Sequence, residues 1–294
     1  MSGLRRPGSG GLILCGGRSA RMGYEKARLR FPGGTLLERV LAHMRQVVQP
    51  VLLSLAPGQA TPRLAEDVLT VKDSVANQGP LWGLAEGFRK LAPRCERVVV
   101  MPVDMPFLTP EWIARLLDEL AGHRACLYEH EGFANALTAA YSLELLPKLE
   151  GLLKAHRMRP IFLIDGEDAH IVPVDAAAAP PGRHPLTDMD TPEAYRDALL
   201  SEGIGRTGAA EVTVELHTPA SAANVFPAGF LALYAQRAED VLHCAQQLYP
   251  ELPIERPGTR LLRMEHRTPS LLLDAGAPLW RGEHLRLEVG SDES

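Results

Sequence analysis

From Gly11 to about Leu200, short apolar runs alternate with longer stretches in which apolar residues recur every three or four positions. The first kind suits strands buried on both faces and the second suits amphipathic helices, so the alternation predicts a parallel α/β sheet. Strands are predicted at Leu12–Leu14, Val51–Leu55, Val68–Lys72, Arg97–Pro102, Ala125–Tyr128 and Ile171–Val174. Helices are predicted at Leu36–Val48, Leu81–Leu91, Pro110–Ala121, Leu143–Ala155 and Pro192–Leu200. Thr109-Pro110 and Thr191-Pro192 each place a capping hydroxyl before a first-turn proline, which fixes two helix starts.

The pattern then breaks. Residues 201–210 hold three glycines and no apolar period, and so predict a linker between a domain of residues 1–200 and one of residues 211–294. Beyond it, strands are expected at Val212–His217, Gly229–Ala235, Arg260–His266, Ser270–Leu273 and His284–Val289, with one helix at Ala238–Tyr249. One helix across a small mixed sheet is the packing this implies.

Composition narrows the classes. With 294 residues, 46% of them hydrophobic, the chain can bury two cores. Its longest apolar runs, such as Val98–Met101, are far too short to span a bilayer, and residues 1–10 lack the apolar stretch of a secretory signal. A cytoplasmic protein without a membrane partner is expected. Residues 1–210 carry 24 acidic and 24 basic side chains, whereas residues 211–294 carry 12 acidic and 7 basic. Neither region has the basic excess of a nucleic-acid binder. Cys15, Cys95, Cys126 and Cys244 lack zinc-ligand spacing and read as separate reduced thiols.

The first strand breaks into Cys15-Gly16-Gly17-Arg18-Ser19-Ala20-Arg21-Met22-Gly23-Tyr24-Glu25-Lys26. Gly16-Gly17 lets backbone N–H groups approach phosphate oxygens, and Arg18, Arg21 and Lys26 add positive charge. Neither Gly-Lys-Ser/Thr nor Gly-x-Gly-x-x-Gly is present, so the segment reads either as an unusual polyphosphate loop or as a turn with exposed arginines. Lys26 is one of only five lysines against twenty-six arginines.

Three further places carry candidate chemistry. The run Val98–Met101 leads to Asp104, held between Pro102 and Pro106 at the carboxyl edge of the expected sheet, where open α/β folds bind ligands. A single carboxylate there suits Mg²⁺, which fills its shell with water and substrate phosphates; a surface Asp in a turn is the alternative. Asp73 opens a loop running to Gly79-Pro80-Leu81-Trp82-Gly83, whose small residues let backbone groups reach a nucleobase edge. Asp188 and Asp190 face the same way if residues 187–190 are extended, although Asp190 could merely precede a helix cap.

Taken in order, Leu14-Cys15-Gly16-Gly17, Arg21-Met22-Gly23, Lys26, Asp73, Gly79–Gly83, Pro102–Pro106 and Asp188–Glu193 closely resemble the molybdenum cofactor guanylyltransferases of the MobA type, over roughly residues 10–200. The resemblance implies a Rossmann-like, mostly parallel α/β sheet that transfers GMP from GTP to molybdenum-molybdopterin and releases pyrophosphate. It implies that Leu14, Cys15, Gly16, Gly17, Lys26 and Asp73 bind nucleotide and that Gly79, Pro80, Leu81 and Gly83 belong to the guanine-selecting loop. Asp104 would bind Mg²⁺, and Lys26 and Asp104 would be the catalytic pair. Two departures stand out. Relatives often carry Asn-x-Asn-Thr-Pro where this chain has Asp188-Met189-Asp190-Thr191-Pro192, and often His-Pro where it has Ala136-Leu137-Thr138. The added negative charge near a polyanion calls for a nearby cation or basic group, and a second Mg²⁺ contact from Asp190 would supply one. A cytidylyltransferase for the same cofactor and a non-catalytic nucleotide-binding scaffold are the alternatives.

Residues 211–289 resemble the ubiquitin-like sulfur-carrier subunit of molybdopterin synthase, an α+β β-grasp domain of the MoaD type. The cues are the Val212–His217 strand, the Ala238–Tyr249 helix with Pro250-Glu251-Leu252 after it, and Ala277-Pro278-Leu279-Trp280-Arg281-Gly282. A sulfur carrier needs a C-terminal Gly-Gly, whereas this sequence reads Val289-Gly290-Ser291-Asp292-Glu293-Ser294. The expectation is a docking module for molybdopterin synthase or a molybdenum-insertion protein.

Overall fold

The computed structural model describes residues 3–16, 24–61, 67–72, 79–175, 179–180, 183–218, 229–252, 254, 259–265 and 268–289. In chain order they form β1 (Ser9–Leu14), β2 (Arg30–Phe31), β3 (Gly34–Thr35), α1 (Leu36–Val47), β4 (Val51–Leu55), β5 (Val68–Lys72), α2 (Pro80–Leu91), β6 (Arg97–Pro102), α3 (Pro110–Glu119) and β7 (Ala125–His130). Next come β8 (Phe133–Ser142), α4 (Leu146–Lys154), β9 (Ala169–Pro173), α5 (Pro192–Ser201), β10 (Ala210–His217), β11 (Gly229–Ala235), α6 (Ala238–Leu248), β12 (Arg260–Glu265), β13 (Thr268–Leu273) and β14 (Glu283–Glu288). Among the described residues no helix is long and apolar enough to cross a membrane. The chain divides into two compact units, residues 1–19 with 37–188, and residues 20–36 with 189–294.

The first unit is built on a seven-stranded sheet ordered β5-β4-β1-β6-β8-β7-β9. β5, β4, β1 and β6 run parallel; the largely apolar β1, β4 and β6 are buried on both faces, while the edge strand β5 is only partly buried. Helix α2 packs on one face, with Leu84 and Phe88 against Leu12 and Val100. A Cβ on Gly87 would lie 2.4 Å from a Leu12 methyl, so glycine is what lets α2 lie this close to β1. On the opposite face Gly11 does the same for Met44 of α1, whose Cγ would sit 2.6 Å from an added Cβ.

Strand β8 is absent from the sequence-based expectation. It runs antiparallel to β6 and to β7, and β9 then returns parallel to β7. Four alanines in ten residues give Phe133–Ser142 little intrinsic strand preference; its pairing on both sides decides its conformation.

In the second unit a five-stranded sheet is ordered β11-β10-β14-β12-β13, with β10 parallel to β14 and the other neighbours antiparallel. Val212, Val214 and Leu216 alternate inward along β10, and α6 packs against β11. Asp240 Oδ2 accepts from the N–H groups of Gln236 (2.8 Å) and Arg237 (2.9 Å), tying down the start of α6.

Helix α5 also belongs to this unit. It packs against β11, burying Tyr195, Ala198 and Leu199, and Tyr234 Oη donates to Asp197 Oδ1 at 2.6 Å. The segment expected as a free linker is bonded in: the Arg206 N–H donates to the Tyr234 carbonyl at 2.8 Å, and its guanidinium lies 3.2 Å from Asp240. The division of the chain therefore falls at Asp188/Met189 rather than within residues 201–210, because the apolar face of α5 is spent on the second sheet.

Candidate active site

In the first unit the carboxyl ends of β1 and β6 build one corner. Beyond Leu14 the chain turns at Cys15, whose N–H donates to the Ser54 carbonyl at 2.8 Å, while the Val103 N–H donates to the Leu14 carbonyl at 3.1 Å. Leu14 and Cys15 are buried and Gly16 is exposed. A Cβ on Gly16 would stand 3.2 Å from the Ala56 nitrogen, so this turn hugs the end of β4. Gly17 and Asp73 lie outside the described residues, as do Arg18 and Arg21.

Asp104 follows β6 directly and is only 7% exposed. Its turn is braced from α1, a feature that sequence reasoning missed. Arg39 Nε donates to the Pro106 carbonyl at 3.1 Å, and His43 Nδ1 to the Leu108 carbonyl at 3.1 Å. Burial holds His43 below its ordinary pKa, against the pull of that hydrogen bond, and so keeps the ring neutral with its proton on Nδ1. Thr138 of β8 donates to Met105 Sδ at 3.1 Å from the other side.

Gly79 takes φ +84°, a left-handed value that favours glycine, and Pro80 opens α2 at its first turn. Leu81 and Gly83 are buried in α2, so the Leu81 side chain serves the core, while Pro80 is exposed and Trp82 half-buried. A cavity of about 420 Å³ opens beside Pro80, lined by His130, Phe133, Asn135, Arg159 and Leu186. Ala136 and Leu137, the residues standing where relatives often have His-Pro, lie in its wall. Ala136 and Leu137 make their part of the wall apolar, and Arg159 contributes a cation to the lining.

The second unit holds Lys26 and Asp190 together. Lys26 Nζ is ion-paired with Asp190 Oδ1, and both side chains are largely shielded from solvent. Here is the cation that a carboxylate at position 190 calls for. Asp190 precedes Thr191, whose Oγ1 accepts from the Ala194 N–H at 3.2 Å and caps α5. Met189 is fully buried between the exposed Asp188 and the half-buried Asp190, the alternation of an extended segment.

A glycine-bearing turn after β1 and a buried carboxylate after the neighbouring β6 lie at the carboxyl edge of a parallel sheet, where open α/β folds bind their ligands. Residues 11–170 match the family model described as the MobA-like NTP transferase domain. The chain belongs to that family and is a nucleotidyltransferase. It is 35% identical over 191 residues to a "Probable molybdenum cofactor guanylyltransferase" of Mycobacterium tuberculosis, covering 62% of this chain and 88% of that protein. A Mycobacterium avium protein of the same name is 34% identical over 163 residues, covering 54% and 82%. Among solved structures, the molybdopterin-guanine dinucleotide biosynthesis protein A of Archaeoglobus fulgidus superposes with a TM-score of 0.54 at 20% identity, over 66% of this chain and 98% of that one. This last likeness speaks for the fold alone.

Proposed function

We propose that the protein transfers GMP from GTP to molybdenum-molybdopterin, releasing pyrophosphate and forming the guanine dinucleotide cofactor. The observation that carries this reading is the 35% identity with the mycobacterial guanylyltransferases across 88% of their length. In the reaction, an oxygen of the acceptor's terminal phosphate bonds to the α-phosphorus of GTP as the bond from that phosphorus to the bridging oxygen breaks. Pyrophosphate leaves, and no protein nucleophile is needed. The protein's part is alignment and neutralisation of charge. In this reading the Leu14–Gly17 turn, Lys26 and Asp73 hold the phosphates and sugar, and the backbone of Gly79–Gly83 faces the base.

Asp104 suits a hard divalent cation, being a shielded oxygen donor at the sheet edge. Among the described residues no group of three or more His, Cys, Asp or Glu side chains could hold a metal alone, so water and substrate oxygens would complete the shell. Magnesium bound there would offset the charge growing on the leaving pyrophosphate. The cavity beside Pro80, with Arg159 in its lining, suits an anionic pterin.

A cytidylyl-transferring reading is favoured by one observation, the Asp188-Met189-Asp190 sequence. The test is incubation of the protein with Mg²⁺, molybdenum-loaded cofactor and GTP or CTP in parallel. The guanine dinucleotide is the expected product; a cytosine dinucleotide alone would overturn the choice of base. For the second sheet, the β11-β10-β14-β12-β13 order with a helix between β11 and β12 supports a β-grasp domain of the sulfur-carrier type, acting as a docking module. Capture of molybdopterin synthase or a molybdenum-insertion protein that is lost on deletion of residues 211–294 is the expected result.

A further inference from the structure

The region matched by the nucleotidyltransferase family ends at residue 170, yet the segment that carries Lys26 is built into the same compact unit as the C-terminal sheet. Five contacts hold it there. Tyr24, two residues before Lys26, stacks on Phe230 of β11 with ring centroids 6.1 Å apart and planes 21° apart. Arg30 is ion-paired with Glu251, just beyond α6, and its guanidinium lies 4.7 Å over the Tyr249 ring. The Arg30 carbonyl accepts from Tyr195 Oη of α5 at 2.6 Å. Lys26 itself is paired with Asp190, next to the cap of that helix. Helix α5 is in turn fastened to the sheet by Tyr234–Asp197 and by Arg196, which is 4% exposed and lies 3.5 Å from Glu211. Phe230, Tyr249 and Glu251 thus grip both sides of the lysine, two residues before it and four after.

We infer that the C-terminal sheet and its helix position a phosphate-binding cation: through Phe230 of β11 and Tyr249 and Glu251 at the end of α6 they fix the segment that carries Lys26. The inference rests on the reading of Lys26 as a phosphate-binding cation. It gives residues 211–294 a task within the transferase itself, apart from any docking partner. Fixing the lysine in advance lowers the ordering cost of binding, which is where preorganisation acts. None of the three supporting side chains touches substrate in this scheme. They act through residues 24–30.

The test uses the full chain with Phe230→Ala, Glu251→Gln and the double variant, read in two ways. Amide hydrogen exchange over residues 24–36 needs no nucleotide, and it is expected to speed up in the double variant while exchange in β1, β4 and β6 stays unchanged. Affinity for GTP in chelator is expected to fall roughly tenfold, the equivalent of one charge-assisted contact, with the acceptor KM unmoved. Phe230→Tyr, which keeps the stacked ring, restores wild-type behaviour, and Leu272→Ser, at an exposed position on the sheet edge, alters neither reading. Unchanged exchange in the double variant would overturn the inference, and so would faster exchange with wild-type GTP affinity. A wild-type chain that binds neither GTP nor CTP would instead overturn the phosphate-binding reading of Lys26, while the exchange result still judges the support of the segment.

Discussion

At Asp104 a carboxylate is placed before any ligand arrives: β6 aims it, the Val103–Leu14 hydrogen bond joins its turn to the end of β1, and Arg39 and His43 brace the far side. Asp104→Asn keeps the shape and removes the charge. Turnover is expected to fall by about 10²- to 10³-fold, as when one preorganised charge-stabilising group is lost, with the circular-dichroism melt unmoved. Near-normal turnover at saturating Mg²⁺ would remove the metal assignment. Asp190 has a second consequence: its carboxylate is paired with Lys26, so under the proposed phosphate-binding role of Lys26 it would compete with an incoming phosphate. Asp190→Asn should tighten GTP binding in chelator by about threefold to tenfold, since one negative charge leaves the neighbourhood of a polyanion; calorimetric titration measures it, and weaker binding contradicts it. Asp104 is legible from sequence because an apolar run ending between two prolines is a local pattern. The Lys26–Asp190 pair spans 164 positions, so no local pattern encodes it, and only the charge argument at position 190 hints at a cation.

Helix α1 shows what an element adds. Its apolar stripe is plain in the sequence, but its polar residues Arg39 and His43 reach the Pro106–Leu108 turn, and that depends on how α1 lies across the sheet. Glycine at position 11 permits the close approach, yet a glycine in a strand run does not announce which helix needs it. Strand β8 marks the opposite limit, where pairing overrides an alanine-rich sequence that local preference does not assign to a strand. The burial of His43 has a measurable consequence. Its folded pKa lies below the ordinary value of 6.5, chiefly through desolvation and with Arg39 adding to the shift, while the Leu108 carbonyl and Glu111 oppose it. The unfolded chain therefore takes up the proton first. Stability from this site is complete above about pH 6.5 and is lost as pH falls through the lower, folded value. Urea midpoints at about pH 7.5 and about pH 5 should converge more closely in His43→Gln than in wild type; an equal acid-induced loss in both would show that His43 does not carry the effect.

At the scale of the molecule, a boundary set by composition differs from one set by packing. Three glycines in residues 201–210 read as a linker, but α5 before them buries Tyr195 and Leu199 as a member of the second unit. The acidic excess of residues 211–294 is likewise visible in the sequence, while the use of Glu211, Glu251 and Asp240 as partners for Arg196, Arg30 and Arg206 is not. A chain ended at residue 210 puts the two descriptions in competition. If the segment is a linker, the amide-exchange protection of α5 should hold. If α5 belongs to the sheet, deletion exposes Tyr195 and Leu199, and the burial lost, roughly 3–6 kcal/mol at about 1.5–3 kcal/mol for each large apolar side chain, falls on α5 itself. Hydrogen exchange over residues 192–201 in the shortened and full chains decides between them, with loss of protection expected. Retained protection would return α5 to the first unit and free residues 201–210 to act as the linker their glycines suggest.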